Sequence, residues 1–231
     1  MTIVQLSDPH IKVGPDDEGS AQALADAVAA VLDLTPLPSA VIVTGDLADH
    51  AAPVEYERFR ELVAPLPMPV HALPGNHDDL DWEGPHTVVC DGSRVVLCDT
   101  HIPGRDDGRL DVDWLEAQIG DGPTIVAMHH PPILTGIGGL DAIGLPEHER
   151  AALADLLSRS PQVQRVIAGH VHRTALATLG GCPVTTCAST NLQAKLELGS
   201  PGFTIVPEPP AFLVHAGDVA HVQPVYTKLV R

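Results

Sequence analysis

Five short apolar runs in this sequence each end in residue types that bind metal ions. The residues that follow the runs are SDPH (7–10), GD (45–46), GNHD (75–78), HH (129–130) and GHVH (169–172). In an α/β sheet, ligands bind at the carboxyl ends of the strands. One such ending means little, but five of them in one chain predict a single site where these side chains meet.

The spacing within the motifs suits metal coordination. Asp8 and His10 are two residues apart, as are His170 and His172. Side chains two apart on an extended segment point the same way, so each pair can hold one ion from one side. The motif glycines at positions 45, 75 and 169 allow unusual backbone angles and close approach where a strand must turn sharply.

The donor chemistry narrows the kind of metal. The motifs offer carboxylates, imidazoles and one amide oxygen but no thiolate. Such a set suits Mn²⁺, Fe²⁺ or Fe³⁺, Zn²⁺ or Co²⁺. The motifs supply seven ligands, which is more than one such ion holds. We therefore predict two ions, roughly 3.5–4 Å apart and joined by one bridging carboxylate.

The apolar runs predict the scaffold that positions the motifs. Strands are expected at TIVQL (2–6), AVIVT (40–44), PVHAL (69–73), TIVAM (124–128) and RVIAG (165–169). Helical patterns occupy residues 20–34, 54–63 and 146–159, an alternation typical of the α/β class. Later the sequence predicts two hairpins, TALATL-GG-CPVTTCA and AFLVH-AGD-VAHVQPV. One domain over residues 1–231 is expected, with C-terminal hairpins from about residue 200.

Charge and composition exclude several classes of partner. The 231-residue chain has a formal net charge of −17 with histidine counted neutral, which argues against a nucleic-acid polymer or an anionic membrane. No apolar run approaches the roughly 18 to 20 residues of a spanning helix. The start, MTIVQLSDPH, lacks the basic segment of a secretory signal. We therefore expect a cytoplasmic protein without membrane insertion.

The ordered motifs D-x-H, G-D, G-N-H-D, H and G-H-x-H resemble those of the calcineurin-like metallophosphoesterases, from Asp8 to about Asn191. The stretches DTHIPGRDDGRLDVDWLEAQI, HHPPILTGI and IAGHVHR are similar to those of bacterial class III cyclic-nucleotide phosphodiesterases. This resemblance implies a four-layer α-β-β-α sandwich of two mixed sheets, with the metals at the strand ends.

The resemblance also implies a role for each motif residue. Four residues would hold one metal, namely Asp8, His10, Asp46 and His172. Asp46 would bridge to a second metal, completed by Asn76, His129 and His170. His129 is chosen over His130 because the family ligand is usually the first histidine after the strand. The substrate would contact His10, Asp46, Asn76, His77 and His172.

The expected reaction is hydrolysis of a phosphate ester. A hydroxide held between the two ions would attack phosphorus in line, because metal binding lowers the pKa of water to near neutrality. The ions would also stabilise charge on the non-bridging oxygens. His77 is the expected general acid for the leaving alkoxide, and Asp78 is a candidate to orient it.

Charge counting favours a small anionic phosphodiester as the substrate. Two divalent ions, two carboxylates and one hydroxide leave a charge of about +1, which a diester monoanion neutralises and a monoester dianion overshoots. GDLADHA (45–51) lacks the arginine of phosphoprotein phosphatases, and Asp49 stands where purple acid phosphatases have a tyrosine. Three cations, Lys12, Arg105 and Arg173, lie on loops whose position the sequence does not give.

The expected substrate is 3′,5′-cyclic AMP, hydrolysed to AMP. With only 3% aromatic residues, the sequence offers few groups to stack on a purine. Weak base recognition is therefore expected, together with hydrolysis of bis(p-nitrophenyl) phosphate. Glycerophosphodiesters or a broad range of small diesters are the alternative substrates.

Two further questions stay open at the level of sequence. A non-catalytic scaffold on the same fold is the alternative of another class, although such scaffolds typically lack some of the ligands or the histidine at the position of His77. None of these residues is missing here. The oligomeric state is also open, with a homodimer as one candidate. The last hairpin could cap the active site or form an interface.

Overall fold

Two large β-sheets form the centre of the protein, which the computed structural model describes over residues 1–15, 17, 19–79 and 84–226. The elements of the first half are β1 (Thr2–Leu6), α1 (Ser20–Leu32), β2 (Ala40–Thr44), α2 (Pro53–Val63), β3 (Val70–Leu73), β4 (His86–Cys90), β5 (Ser93–Leu97) and α3 (Val112–Gln118). Those of the second half are β6 (Thr124–Met128), α4 (Gly138–Asp141), α5 (Glu147–Ser158), β7 (Val163–Ala168), β8 (Leu176–Leu179), β9 (Cys182–Thr186), β10 (Gln193–Ala194), β11 (Ile205–Val206), β12 (Ala211–Ala216) and β13 (Val219–Pro224).

Both large sheets contain a block of parallel strands. The first has the strand order β13-β12-β1-β2-β3, with β1, β2 and β3 parallel and β12 antiparallel to β1. The second has the order β4-β5-β6-β7-β9-β8, with antiparallel strands β4 and β8 at its edges. Because parallel strands end at the same edge of a sheet, each sheet collects its motif residues at one edge.

Alternating side chains along the central strands divide the apolar residues among three cores. On β1, Ile3 packs between the two sheets, whereas Val4 joins the core that includes Leu24 of α1. On β6, Ile125 packs between the sheets and Val126 joins the core under α3 and α5. Strands buried on both faces explain the continuous apolar runs of the sequence. The layers follow as helices, sheet, sheet and helices, which confirms the predicted four-layer sandwich.

The last hairpin, β12–β13, is part of the first sheet. Thr2 of β1 pairs with Ala216 of β12, so the hairpin extends the sheet at its edge. No residue of β12 or β13 is among the described residues that line the pocket at the strand ends. The predicted domain also covers residues 80–83 and 227–231, which lie outside the described part of the chain. None of the described helices is long and apolar enough to cross a bilayer.

Candidate metal centre and substrate pocket

The carboxyl ends of β1, β2, β3, β6 and β7 meet, and all the predicted site residues lie together there. Six of them line a pocket of about 320 Å³, namely His10, Asp46, Asn76, His77, His170 and His172. The other two, Asp8 and His129, are fully buried at its base. The five separate motifs therefore form a single site, as their positions after the strands predict.

Five of these residues have a left-handed backbone conformation. Their φ angles are 51° for Asp8, 44° for His10, 53° for Asp46, 69° for His170 and 46° for His172. This conformation costs a residue with a side chain roughly 1–2 kcal/mol. Residues held so are concentrated at functional sites, where the surrounding structure imposes the conformation. Each turn aims a side chain back over the end of its strand.

The glycines of the motifs make room for these side chains. A Cβ atom on Gly75 would collide with the carboxylate of Asp46, and one on Gly169 would collide with the hydroxyl of Ser7. Gly45 has a φ of 91°, and its Cβ would collide with the ring of His129. Any larger residue at positions 75 or 169 would displace a neighbour that forms or supports the site.

One group of potential metal-ligand atoms belongs to Asp8, His10, Asp46 and His172. His10 Nδ1 donates to Asp49 Oδ1 at 3.0 Å, and His172 Nδ1 donates to the carbonyl of Leu192 at 2.8 Å. Each neutral ring therefore carries a lone pair on Nε2, and these two Nε2 atoms lie 3.0 Å apart. Asp46 Oδ2 lies 3.3 Å from His10 Nε2, and Asp8 Oδ1 lies 3.6 Å from His172 Nε2.

A second group surrounds His129. Its Nδ1 donates to the carbonyl of Thr44 at 2.8 Å, which leaves Nε2 as the nitrogen available to a metal ion. That Nε2 lies 3.0 Å from Asn76 Oδ1, 3.4 Å from Asp46 Oδ2 and 3.3 Å from His170 Nδ1. Asp46 Oδ2 is thus within reach of both groups. Its other oxygen, Oδ1, accepts the backbone N–H of His77 at 2.9 Å.

Metal ions fit this arrangement. Lone pairs that face one another in a buried site repel unless a cation lies among them. Asp8 Oδ2 and His170 Nε2 are, in addition, buried without a hydrogen-bond partner among the described residues. The donors are imidazole, carboxylate and amide oxygen, which suit transition metals. One carboxylate oxygen shared by two groups is the geometry of a bridging ligand.

The ionisation states agree with a cation site. Burial disfavours protonated His129, but the Asp46 and Asp8 carboxylates outweigh it and raise its pKa to about 9. Burial also disfavours charged Asp46, yet the His129 and His10 rings hold the pKa of its carboxyl well below the usual range. Burial, with the neighbouring rings of His130 and His129, lowers the pKa of His170 well below its usual value. The carboxylates thus favour a positive charge at the imidazoles. A metal ion can supply this charge in place of a proton, and its binding then releases that proton.

His130 lies near the second group, but its ring is already engaged. The ring is within reach of His129 and His170. Its Nε2 donates to the carbonyl of Asp106 at 3.1 Å, and its Nδ1 accepts from the hydroxyl of Thr100 at 2.9 Å. Burial and the proximity of His129 lower its pKa to about 3. With both nitrogens occupied, His130 is a weaker candidate ligand than His129.

His77 is held by Asp49 and not by its neighbour Asp78. His77 Nδ1 donates to the carbonyl oxygen of Asp49 at 2.9 Å, and its ring stands edge-on to that of His10 with centroids 4.6 Å apart. The carboxylate of Asp78 instead accepts the backbone N–H groups of Leu47, Ala48 and Gly75. Asp78 thereby ties together the loops after β2 and β3, which present Asp46 and Asn76.

Comparison with known proteins identifies the family. The family model for calcineurin-like phosphoesterases matches residues 1–174. The chain belongs to the calcineurin-like phosphoesterases. The predicted family and the prediction of an enzyme, a phosphoesterase, are confirmed.

Individual relatives support this membership, and a solved structure shares the fold. The phosphoesterase is 34% identical to a probable glycerophosphodiester phosphodiesterase GpdQ of Arcobacter nitrofigilis, over 93% of this chain and 88% of that protein. It is 32% identical to the 3′,5′-cyclic adenosine monophosphate phosphodiesterase CpdA of Pseudomonas aeruginosa, over 88% and 80%. A dimetal phosphatase from Danio rerio shares the fold, with a TM-score of 0.66, 16% identity and coverage of 98% and 99%.

The phosphoesterase pocket also contains a pair of opposite charges that its motifs do not include. Lys12 and Asp49 line the pocket, with Lys12 Nζ 3.5 Å from Asp49 Oδ2. The neighbours His10 and Lys12 outweigh burial and lower the pKa of Asp49 to about 2.

The two arginines that the sequence analysis considered as substrate-binding cations form ion pairs of their own. Arg105 pairs with Asp107 on an exposed loop, and Arg173 pairs with Glu208. Neither is among the described residues that line the pocket.

Part of the pocket lining is apolar. We call it the apolar wall, and its residues are Leu140, Ile143, Leu192, Phe203 and Ile205. No motif of the family resemblance covers these positions, and the stretch GSPGFTIVPEPP around Phe203 has the composition of a loop. Sequence reasoning missed them because only the tertiary fold brings residues 140 and 203 together.

Proposed function

We propose that this phosphoesterase hydrolyses small phosphodiesters at a two-metal centre, with 3′,5′-cyclic AMP as its main substrate. The observation that carries the proposal is the sharing of Asp46 Oδ2 by two groups of inward-facing acceptor atoms. One ion would be held by Asp8, His10, Asp46 and His172. The other would be held by Asp46, Asn76, His129 and His170. When bound, such ions supply Lewis-acid polarisation of the phosphoryl oxygens and activation of a water molecule.

His77 is the proposed general acid. Its Nδ1 donates to a carbonyl, which cannot donate in return, so Nδ1 carries the proton of the neutral ring. In the imidazolium form Nε2 carries the second proton, which the ring can release to the leaving alkoxide. The Asp49 carboxylate also lies close, with Oδ1 4.0 Å from His77 Nδ1. The side chain is 42% exposed, so it can exchange protons with solvent between turnovers.

The charges of the pocket support a diester. Lys12 and Asp49 have opposite charges and lie close together, so as a pair they leave the net charge set by the metal ligands unchanged. No arginine is among the described residues of the pocket to bind the second charge of a monoester. The names of the relatives agree, since one acts on cyclic AMP and the other on glycerophosphodiesters. Glycerophosphodiester hydrolysis is accordingly the second candidate, supported by the 34% identity to the GpdQ relative.

The deciding experiment compares substrates and one variant. Metal-stripped protein, reconstituted with Mn²⁺, is assayed on cyclic AMP, a glycerophosphodiester, bis(p-nitrophenyl) phosphate and p-nitrophenyl phosphate. His77→Ala is expected to lose at least about 100-fold in kcat while its metal content stays at the wild-type level. His148→Ala is the matched control, because that side chain is 81% exposed on α5. Fast monoester hydrolysis with inert diesters would refute the proposal, and an active His77→Ala would exclude His77 as the acid.

A further inference from the structure

The pocket lining has two chemically different parts, and the metal centre accounts for only one of them. The apolar wall carries Phe203 and Ile205, which are 45% and 40% exposed. Large apolar side chains that stay exposed at a pocket typically mark a surface that contacts a ligand. Substrate is the molecule that must approach this place, because the wall and the metal ligands line the same cavity.

The wall is built as a unit and fixed relative to the metal centre. The short strands β10 and β11 pair, with Ala194 opposite Ile205. Helix α4 packs so tightly on the segment before β11 that a Cβ on Gly139 would lie 2.6 Å from the backbone of Gly202 and 2.9 Å from the Phe203 ring. The carbonyl of Leu192 accepts from His172 Nδ1, which connects the wall directly to a proposed metal ligand.

The chemistry of the wall selects a flat apolar group. A phenylalanine ring beside aliphatic side chains offers stacking and apolar burial, which a nucleobase or an aryl ring can use and a glycerol group cannot. Asn191 lies at the same pocket, and its side-chain amide has no hydrogen-bond partner among the described residues. A free amide offers both a donor and an acceptor to the polar edge of a base.

We propose that the apolar wall binds a planar aromatic or heteroaromatic ester group of the diester, and that Phe203 is the residue that determines this specificity. The inference rests on the proposed phosphodiesterase function. It differs from the weak base recognition expected from composition, because the fold places one of only three phenylalanines at the pocket. Diesters with a nucleobase or an aryl group should therefore be preferred over glycerophosphodiesters.

The test compares Phe203→Ala with Leu176→Ala, whose side chain is 74% exposed on β8, away from the pocket. Removing a ring that stacks on a base weakens binding of that base, so kcat/KM for cyclic AMP should fall about tenfold, through KM. Hydrolysis of glycerophosphoglycerol, a diester with neither a ring nor a cation for Phe203 to contact, should stay within about twofold of wild type. Phe203→Trp should retain cyclic AMP hydrolysis, and Leu176→Ala should match wild type on both substrates.

Binding measurements separate this inference from the proposed function. Calorimetric titration of the same proteins with AMP and with glycerol 3-phosphate needs no turnover. AMP should bind wild type more tightly than glycerol 3-phosphate does, and Phe203→Ala should abolish the difference. If wild type hydrolysed no diester, the proposed function would fail, while the titration would still decide on the wall. Equal losses on both substrates, or unchanged AMP binding in Phe203→Ala, would overturn the inference.

Discussion

His10 Nε2 and His172 Nε2 face each other at 3.0 Å, while Nδ1 of each ring donates to a neighbouring acceptor. Two ring nitrogens at this distance in a buried site need a cation, a proton or a metal ion, between or beside them. The partners of Nδ1 fix this tautomer, because the carbonyl of Leu192 and the carboxylate of Asp49 only accept. The backbone and the neighbouring acid thus preorganise the rings for metal binding.

Metal removal should therefore destabilise the protein. An ion present at 100 times its Kd adds about 2.7 kcal/mol to the free energy of unfolding. For a chain of this size, chelation should lower Tm by about 5 to 10 °C in differential scanning calorimetry. In Asp46→Asn, chelation should lower Tm much less, because this variant weakens the ligand shared by both groups and so binds less metal to begin with. An unchanged Tm in wild type after verified metal removal would contradict the predicted centre.

Some residues of this site can be predicted from the sequence and others cannot, because different features of the fold position them. Asp8 and His10 lie directly after a strand, so their place in a parallel sheet follows from chain order. The contact that holds His77 involves the backbone carbonyl of Asp49, and backbone groups leave no trace in residue types. Phe203 reaches the pocket through packing against α4, more than 60 residues earlier in the chain, which no local pattern indicates.

Gly75→Ala should disrupt the centre without touching any ligand directly. The added methyl group would overlap the Asp46 carboxylate and come within 2.7 Å of His129 Cε1. Such overpacking costs about 1–3 kcal/mol and displaces the shared ligand. We expect loss of metal in elemental analysis and at least a tenfold loss of activity, roughly the effect of a 1.4 kcal/mol change.

The matched control for that variant is Gly122→Ala. A Cβ at this position would meet nothing within 4 Å, and its φ is not in the left-handed region. Its stability should stay within about 0.5 kcal/mol of wild type, with full metal content. If Gly75→Ala retained metal and activity as well as this control does, the close packing around Asp46 would not be a requirement of the site.

A buried histidine away from the pocket should make stability depend on pH. His215 lies between the sheets, where its Nδ1 accepts from the Arg165 guanidinium at 3.1 Å and its Nε2 donates to Gln5 Oε1 at 3.0 Å. Burial, together with the charge of Arg165, lowers its pKa from 6.5 to about 3. Between these values the unfolded chain binds more protons than the folded one. The contribution of neutral His215 is therefore fully present above about pH 6.5 and is lost as the pH falls toward 3.

Urea unfolding between pH 5 and 7 measures this dependence. His215 should contribute up to about 1.4 kcal/mol per pH unit to the slope of the free energy of unfolding, with stability falling as pH falls. His215→Gln should show a shallower slope, whatever its absolute stability. His148→Gln, at an exposed histidine, should keep the wild-type slope. Parallel slopes for wild type and His215→Gln would show that His215 does not titrate abnormally.

The Lys12–Asp49 pair should tune the preference for diesters over monoesters. Asp49→Asn keeps an oxygen that can accept from His10 Nδ1 but leaves Lys12 without its partner, so the pocket gains one positive charge. A monoester carries the additional negative charge that this lysine can bind. The ratio of kcat/KM for p-nitrophenyl phosphate to that for bis(p-nitrophenyl) phosphate should rise about threefold, a modest change because both groups are partly exposed to solvent. Lys12→Gln should lower the same ratio, and raising the ionic strength should weaken both effects. Changes in the same direction for the two variants would show that the pair supports the site structurally and does not set its charge.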